Sequence, residues 1–299
     1  MKIGFSSLVC PAWDLATILE KASEYGFEGV ELRGLQGELY LPRVPAVAGN
    51  PAVTRQRFSA AGIELVCLGS SVTLSARKPA VLAKARIELQ EYIDLAASLG
   101  CPYVRMFAGE VQAGETQEAT LGRVAEELTR MAAYAASKRV AIVVENGGDF
   151  ADSRALWYLC DCASHPAIRV CWNPCTAMLV NERPTISIPR LGTRIGLAHV
   201  CDGRFEGGHM EAYAVPGEGT VELSRMIDLL KGIVYRDYLI FEWPKMWDTS
   251  LPGPDAVLPK VKAYLRERVD EKQPILTAYK GDKNPTKMMA VPAKSSARA

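Results

Sequence analysis

The feature that most constrains this chain is a regular alternation of short apolar segments with segments of helical periodicity. Eight runs rich in β-branched and aromatic residues are typical of strands: Lys2–Ser6, Gly29–Arg33, Ile63–Leu68, Pro102–Phe107, Val140–Glu145, Ile168–Asn173, Ile195–Val200 and Tyr238–Trp243. Between most of them, apolar residues recur three and four positions apart, as at residues 15–22. Gly26, Gly62 and Gly100 follow such segments, where a helix ends in a left-handed residue. The pattern predicts strands joined by helices.

Two architectures are compatible with this alternation, an open doubly wound sheet and a closed barrel. The open sheet favours a glycine-rich phosphate turn after the first strand, and residues 5–11 contain no GxGxxG motif. Eight units over the body of the chain give roughly 34 residues per unit, which suits a closed barrel. We therefore predict an α/β fold of the (β/α)8 TIM barrel type, as a single domain over residues 1–270.

The last part of the chain, residues 271–299, differs from the body in charge and pattern. It holds six basic and two acidic residues and shows no sustained periodicity, which predicts a basic tail that is partly disordered or packs on a neighbouring subunit through Pro274–Tyr279. We expect a homo-oligomer, with a hetero-oligomer as the alternative.

The whole chain carries a net charge of +1, and the tail alone carries +4, so the body has a net charge of −3. A slightly acidic body lacks the basic stripe that nucleic acid binding requires.

Composition also narrows the cellular setting. Hydrophobic residues make up 48% of the chain, enough for a large core, but no run of 18 apolar residues occurs and the first residues do not resemble a secretion signal. The eight cysteines are scattered through apolar stretches, which is typical of reduced thiols. These features predict a cytoplasmic protein that does not bind membranes.

Polar residues follow the apolar runs of the last four predicted strands: Glu145, Asn173, His199 and Glu242. In a barrel of this type, the chemistry takes place at the carboxyl ends of the strands. A carboxylate at the end of an apolar strand is costly unless it is paired or bound to a cation, and two converging carboxylates repel each other. Two Glu, one His and an amide oxygen suit Mn²⁺ first, and also Mg²⁺, Co²⁺ or Zn²⁺. The alternative is that each Glu is ion-paired to a basic side chain.

The order of these motifs resembles that of the xylose isomerase-like TIM barrel superfamily, and specifically of its sugar phosphate isomerase/epimerase branch. The resemblance runs from the opening MKIGFSS and the stretch YGFEGVELR, through the Glu at strand five and the AHVCDGR and VPGEGTV motifs, to IFEW at strand eight. It covers about residues 1–270.

Carried over position by position, the resemblance implies a divalent metal held by Glu145, Asn173, His199 and Glu242. The family usually has Asp where this chain has Asn173, and the loss of one negative charge is expected to weaken metal binding and to make the metal a stronger Lewis acid. Two further positions depart from the family. Thr176 stands where many epimerases carry His, and Ala151 lies near the position at which some ketose epimerases carry a Glu that contacts the substrate.

The resemblance also implies an activity, the isomerisation or epimerisation of a sugar or sugar-like polyol. A proton is abstracted next to a carbonyl through a metal-stabilised enediolate, with Glu145 and Glu242 as the catalytic residues on opposite faces of the substrate. The departures from the family keep two alternatives open. One is a metal-dependent lyase or dehydratase on a sugar derivative, including C-glycoside cleavage, and the other is a non-catalytic sugar-binding barrel.

Four further side chains are candidate substrate contacts. Arg204 follows the predicted histidine ligand by five residues, and His209 lies in a glycine-containing segment predicted to be a loop at the active face. Arg105 ends an earlier strand, and Trp243 is suited to an apolar wall against which a sugar ring stacks. The alternative roles are a surface salt bridge for Arg204, an exposed loop position for His209, ion pairing for Arg105 and core packing for Trp243.

Overall fold

The structure, a computed structural model, describes residues 1–271 and contains a closed barrel of eight parallel strands. With two strands outside the barrel, β8 and β9, the described residues form ten strands, which in chain order are β1 Lys2–Ser6, β2 Gly29–Leu32, β3 Glu64–Thr73, β4 Tyr103–Phe107, β5 Ala141–Glu145, β6 Ile168–Trp172, β7 Ile195–Val200, β8 Asp202–Glu206, β9 His209–Ala214 and β10 Tyr238–Phe241. Around the barrel they follow the order β1, β2, β3, β4, β5, β6, β7, β10, and β10 pairs with β1. The predicted (β/α)8 TIM barrel is confirmed.

Helices connect the strands over the described part of the chain. They are α1 Leu15–Glu24, α2 Pro45–Ala48, α3 Pro51–Ala61, α4 Pro79–Leu99, α5 Gln117–Ser137, α6 Ser153–Ala163, α7 Pro174–Met178, α8 Pro184–Leu191, α9 Leu223–Gly232 and α10 Pro254–Asp270. Gly62 and Gly100 end α3 and α4 with φ of 67° and 71°, as the sequence predicts. Glycine adopts this left-handed conformation without steric cost, so each helix can end there and the next strand begins within a few residues.

One element, a two-stranded hairpin formed by β8 and β9, is not predicted from the sequence. The two strands pair antiparallel after β7, and the turn between them contains Gly207 and Gly208 with φ of 57° and 83°. Two consecutive residues of positive φ are what a tight hairpin turn of this hand requires. The segment that carries Arg204 and His209 is therefore a hairpin and not an irregular loop.

The barrel interior is built in layers because every second residue of a strand faces inward. A buried apolar cluster fills the interior and consists of Val66, Cys67, Tyr103, Val143, Cys171, Leu197, Tyr238 and Ile240. Two residues beyond Tyr103, Val143, Leu197 and Ile240 the sequence places Arg105, Glu145, His199 and Glu242, one residue for each strand. The interior thus changes from apolar to charged at the carboxyl ends of the strands.

The amino-terminal end of the barrel is tied together by a different set of charges. The Glu28 carboxylate, just before β2, accepts hydrogen bonds from the Ile3 backbone N–H at 2.9 Å, from Arg266 at 2.7 Å and from Lys262 at 3.2 Å. Both cations belong to α10, so these bonds attach the last helix to the first two strands.

No helix among residues 1–271 is long and apolar enough to cross a membrane. The predicted tail, residues 271–299 with the segment Pro274–Tyr279, lies outside the described residues except for Glu271.

Candidate metal and active site

Three of the predicted ligands converge at the carboxyl end of the barrel. The Nδ1 atom of His199 lies 3.1 Å from Oε1 of Glu145 and 3.6 Å from Oε2 of Glu242. His199 is completely buried, and Glu145 is 3% exposed. Residues from β5 and directly after β10 thus place a carboxylate oxygen each within 3.6 Å of one imidazole nitrogen from β7.

The other ring nitrogen of His199 faces Glu31, a residue that is not among the predicted site residues. Nε2 lies 3.1 Å from Oε2 of Glu31, whose Oε1 accepts a hydrogen bond from the Ser6 hydroxyl at 2.9 Å. Glu31 and Ser6 are both fully buried. A carboxylate on one ring nitrogen holds the proton there and leaves the other nitrogen available to a metal. Gly29 of β2 faces the barrel interior, because a Cβ there would meet Tyr238 and Val66. Glu31 lies two residues later on the same strand and therefore faces inward as well.

The donor set of Glu145, His199 and Glu242 fits a divalent cation. Ligands in adjacent positions around a cation with bonds near 2.1 Å lie about 3 Å apart, and Nδ1 of His199 lies 3.1 Å and 3.6 Å from the oxygens of Glu145 and Glu242. With one proton held on Nε2 by Glu31, His199 would offer Nδ1 to a cation in place of its second proton, and the two nearby carboxylate oxygens would favour either positive charge. Oε2 of Glu145 makes no hydrogen bond among the described residues, and the group that faces it is the Arg105 guanidinium, with Nε at 3.0 Å.

The oxygen of Asn173, the fourth predicted ligand, is occupied by the start of a helix. Asn173 is the N-cap of α7, and its Oδ1 accepts hydrogen bonds from the backbone N–H groups of Cys175 at 3.1 Å and Thr176 at 3.3 Å. The thiol of Cys201 donates to the same oxygen at 3.1 Å. Side-chain oxygens of Asn are favoured at N-caps because they satisfy the free N–H groups of the first turn.

The nitrogen of the same amide faces the two glutamates. Nδ2 of Asn173 donates to Oε1 of Glu145 at 2.9 Å and to Oε2 of Glu242 at 2.8 Å. The structure therefore brings Asn173 together with both glutamates, through its nitrogen.

Arg105 lies beside the site and beneath its surface. Its Nε is 3.0 Å from Oε2 of Glu145, its Nη1 donates to the Ser70 carbonyl at 2.7 Å, and its guanidinium lies 4.6 Å from the centre of the Phe107 ring. With 1% exposure, Arg105 is in the position of an internal counter-charge to Glu145. The ion pairing that the sequence analysis weighed for this residue is present, and its predicted contact with substrate stays a prediction.

The buried surroundings shift the pKa values of the histidine and the glutamates of the site in different directions. Burial disfavours a charge on His199, yet the neighbouring Cys171, Glu145, Glu242 and Glu31 raise its pKa well above the usual value. Burial raises the pKa of Glu242 to about 7, although His199 opposes this effect.

Glu31 and Glu145 shift in the opposite direction from Glu242. Burial alone would raise both, but His199 and Arg105 lower the pKa of Glu31 to about 2, helped by the Ser6 hydroxyl. The same two cations lower the pKa of Glu145 below its ordinary value. Glu145 and Glu31 are therefore held ionised, while Glu242 binds a proton more readily.

A cavity of about 300 Å³ opens directly above this cluster. Its floor contains Glu145, Asn173 and Glu242. Its wall is largely apolar and includes Phe107, Leu179, Met210, Tyr213 and Pro244. The site thus combines a polar, acidic floor with an apolar entrance.

The remaining candidate substrate contacts lie elsewhere. Arg204 and His209 are exposed on the hairpin, and neither lines the cavity, although Met210 and Tyr213 of the same hairpin do. Trp243 is 1% exposed and stacks on Phe241 behind the cavity wall, with an edge contact to Tyr213. The structure therefore does not bring Arg204, His209 or Trp243 to the cavity surface, and their contact with substrate remains a prediction.

The glycines of the VPGEGTV motif, residues 215–221, allow the backbone to approach the Asp202 carboxylate closely. Its carboxylate accepts hydrogen bonds from the backbone N–H groups of Gly217, Gly219 and Val221 at 2.9 to 3.1 Å. A Cβ atom at Gly219 would overlap Oδ1 of Asp202, so only glycine permits this approach. The glycines of the motif therefore let the backbone close around the Asp202 carboxylate.

Comparison with solved structures finds the same architecture in several proteins. A D-psicose 3-epimerase determined in the presence of D-fructose has a TM-score of 0.73 and 16% identity, with 91% of this chain and 100% of that chain covered. The IolI protein with a bound zinc atom has a TM-score of 0.78 and 17% identity, covering 90% and 98%. The probable 3-DHS dehydratase AsbF from Bacillus anthracis has a TM-score of 0.72 and 16% identity, covering 89% and 99%.

At these identities the likeness shows a common fold, and no curated protein matches the sequence. The family model for the xylose isomerase-like TIM barrel matches residues 19–268, which is most of the chain. The chain therefore belongs to the xylose isomerase-like TIM barrel family.

Proposed function

We propose that this protein is a divalent-metal-dependent enzyme that isomerises or epimerises a sugar or sugar-like polyol by moving a proton next to a carbonyl group. The observation that carries the proposal is that Nδ1 of His199 lies within 3.6 Å of carboxylate oxygens of Glu145 and Glu242, and that both glutamates line the floor of the cavity. The sugar epimerases among the structural neighbours support the reaction class.

The side chains divide the work according to their positions. Glu145 and Glu242 are the two groups that remove and return the proton, because both carboxylates are at the cavity floor. Glu31 orients His199 through Nε2, and Arg105 stabilises the charge of Glu145. When bound by Glu145, His199 and Glu242, the cation supplies Lewis-acid polarisation of the substrate carbonyl, with Mn²⁺ as the first choice.

Exchange of substrate hydrogen with solvent tests this proposal. The protein is stripped with a chelator, divided, and reloaded with Mn²⁺ or left without metal, and each sample is incubated with a panel of ketoses in D₂O. We expect deuterium to enter the carbon next to the carbonyl of one or more ketoses in the Mn²⁺ sample only. Equal incorporation in both samples would contradict the role of the metal.

A second candidate is a lyase or dehydratase that acts on a sugar derivative carrying an apolar group, including a C-glycoside. The observation that favours it is the apolar part of the wall formed by Phe107, Leu179 and Met210, whose side chains offer little hydrogen bonding to the hydroxyls of a free sugar. The dehydratase among the structural neighbours is consistent with it.

Product analysis separates the two candidates. Release of water or of an aglycone from a sugar derivative, without exchange into free ketoses, favours the lyase or dehydratase. Neither reaction, together with no bound metal, favours a non-catalytic sugar-binding barrel.

A further inference from the structure

The orientation of the Asn173 amide is determined by the chain around it. Its oxygen accepts from two backbone N–H groups at the start of α7 and from the thiol of Cys201. If the amide were rotated by 180°, the NH₂ group would face these same two N–H groups, donor against donor. The rotation would also direct the amide oxygen at the carboxylate oxygens of Glu145 and Glu242, which would lose their donor.

The backbone of Asn173 is held equally firmly. Its N–H donates to Oδ1 of Asn146 at 2.7 Å, and its carbonyl accepts from Nδ2 of Asn146 at 2.9 Å. Asn146 follows β5 and is fully buried, so this pair of bonds joins the ends of β5 and β6. The Asn173 side chain therefore has a fixed origin and a fixed orientation.

We infer that Asn173 is a positioning residue that caps α7 and holds Glu145 and Glu242 through its N–H groups, and that it does not ligate the metal. The inference rests on the proposed function, since it concerns the same cation. Glu145, His199 and Glu242 are then the three protein ligands, and a coordination position remains open. Each carboxylate oxygen that accepts from Asn173 has a second lone pair for the cation.

An Asp at this position would behave differently because its two oxygens are equivalent acceptors. One oxygen would cap α7, as Asp does in many helices, and the other would point to the cation. The amide in this chain therefore removes a ligand, in addition to the negative charge, and leaves that position to water or to a substrate oxygen.

The number of water molecules on bound Mn²⁺ tests this inference directly. It is measured by water-proton relaxation dispersion on the Mn²⁺-loaded full chain, without any turnover. The variants are N173S, which keeps an N-cap hydroxyl and lacks the N–H groups, N173A, which removes both, and N173D. The matched control is D152S, an N-cap replacement at α6, since Asp152 caps that helix outside the cavity.

We expect the water count to be the same in wild type, N173S, N173A and D152S, and to fall by one in N173D. We also expect N173D to bind Mn²⁺ at least about tenfold more tightly in a chelator competition, because it adds a charged ligand. A water count that rises by one in N173S or N173A would show that the wild-type amide oxygen is a ligand, and would overturn the inference alone. No Mn²⁺ binding by the wild type would overturn the proposed function, and this inference with it.

Discussion

Glu28 and Glu31 lie three residues apart in one short segment, yet they belong to opposite ends of the barrel. Glu28 is partly exposed and accepts hydrogen bonds from Lys262 and Arg266 of α10. Glu31 is fully buried and faces Nε2 of His199. Glutamate thus has two roles in this segment: Glu28 joins two structural elements at one end of the barrel, and Glu31 orients a candidate metal ligand at the other.

The two ends differ in how their charges are satisfied. At the amino-terminal end, the chain supplies the cations that Glu28 needs, so the network is complete by itself. At the carboxyl end, the three carboxylates of Glu31, Glu145 and Glu242 surround one imidazole, and Arg105 is paired with Glu145. Several carboxylates and a histidine that converge below a cavity indicate a functional site, whereas a carboxylate paired with lysine and arginine at the surface indicates a structural role.

The largest effect is expected from replacing the carboxylates of the cavity floor. E145Q and E242Q should each lower the rate of the metal-dependent reaction by at least about 10²-fold, because each removes a general base and a metal ligand. Circular dichroism should show that both variants remain folded at the assay temperature. Substantial activity in both variants would reject the assignment of the two bases.

A smaller effect is expected at Glu31, which acts through His199. E31Q should weaken Mn²⁺ binding by about 10- to 100-fold, since partners of a ligating histidine have effects of this size. Isothermal titration calorimetry on the stripped protein measures it. E28Q is the matched control at the other end of the segment and should bind Mn²⁺ as the wild type does. Equal affinities of E31Q and E28Q would remove the distinction between the two ends.

A stability effect is expected at Glu28. E28Q should lower the free energy of unfolding by about 1 kcal/mol or less, because Glu28 is partly exposed and its ion pairs are screened by solvent. Urea denaturation at neutral pH measures the difference. No loss of stability, or a loss of metal binding instead, would contradict the structural role.

The smallest effect is the pH dependence of that difference. Burial would raise the pKa of Glu28, but the Ile3 N–H group, Lys262 and Arg266 lower it below its ordinary value. The Glu28 carboxyl has a pKa of about 4.3 in the unfolded chain. The stabilisation that Glu28 provides is therefore fully present above that pH and is lost as the pH falls through its lower pKa in the folded protein. The stabilities of wild type and E28Q should therefore converge below pH 4, as urea denaturation at a series of pH values would show. A gap that widens on acidification would contradict the sign.

Much of the fold follows from local sequence signals. The alternation of strand and helix, the glycines that end α3 and α4, and the polar residues after the last four barrel strands are all readable from short segments. The structure brings those four polar residues together because parallel strands of a barrel end at the same face.

Other features depend on contacts that no short segment contains. The direction of the Asn173 amide is determined by the start of α7 and by Cys201, and the role of Glu31 by His199, 168 residues away. The pair Gly207 and Gly208 fits a flexible loop as well as a hairpin turn, and only the pairing of β8 with β9 distinguishes the two, so the positions of Arg204 and His209 outside the cavity lining cannot be read from the segment itself.

The amount of Mn²⁺ bound per chain tests the central claim most directly. Protein stripped with a chelator, reloaded with Mn²⁺ and desalted is submitted to elemental analysis, for the wild type and for the folded double variant E145Q/E242Q. The account predicts about one Mn²⁺ per chain in the wild type and almost none in the double variant. Equal metal content in the two proteins, or none in either, would contradict it.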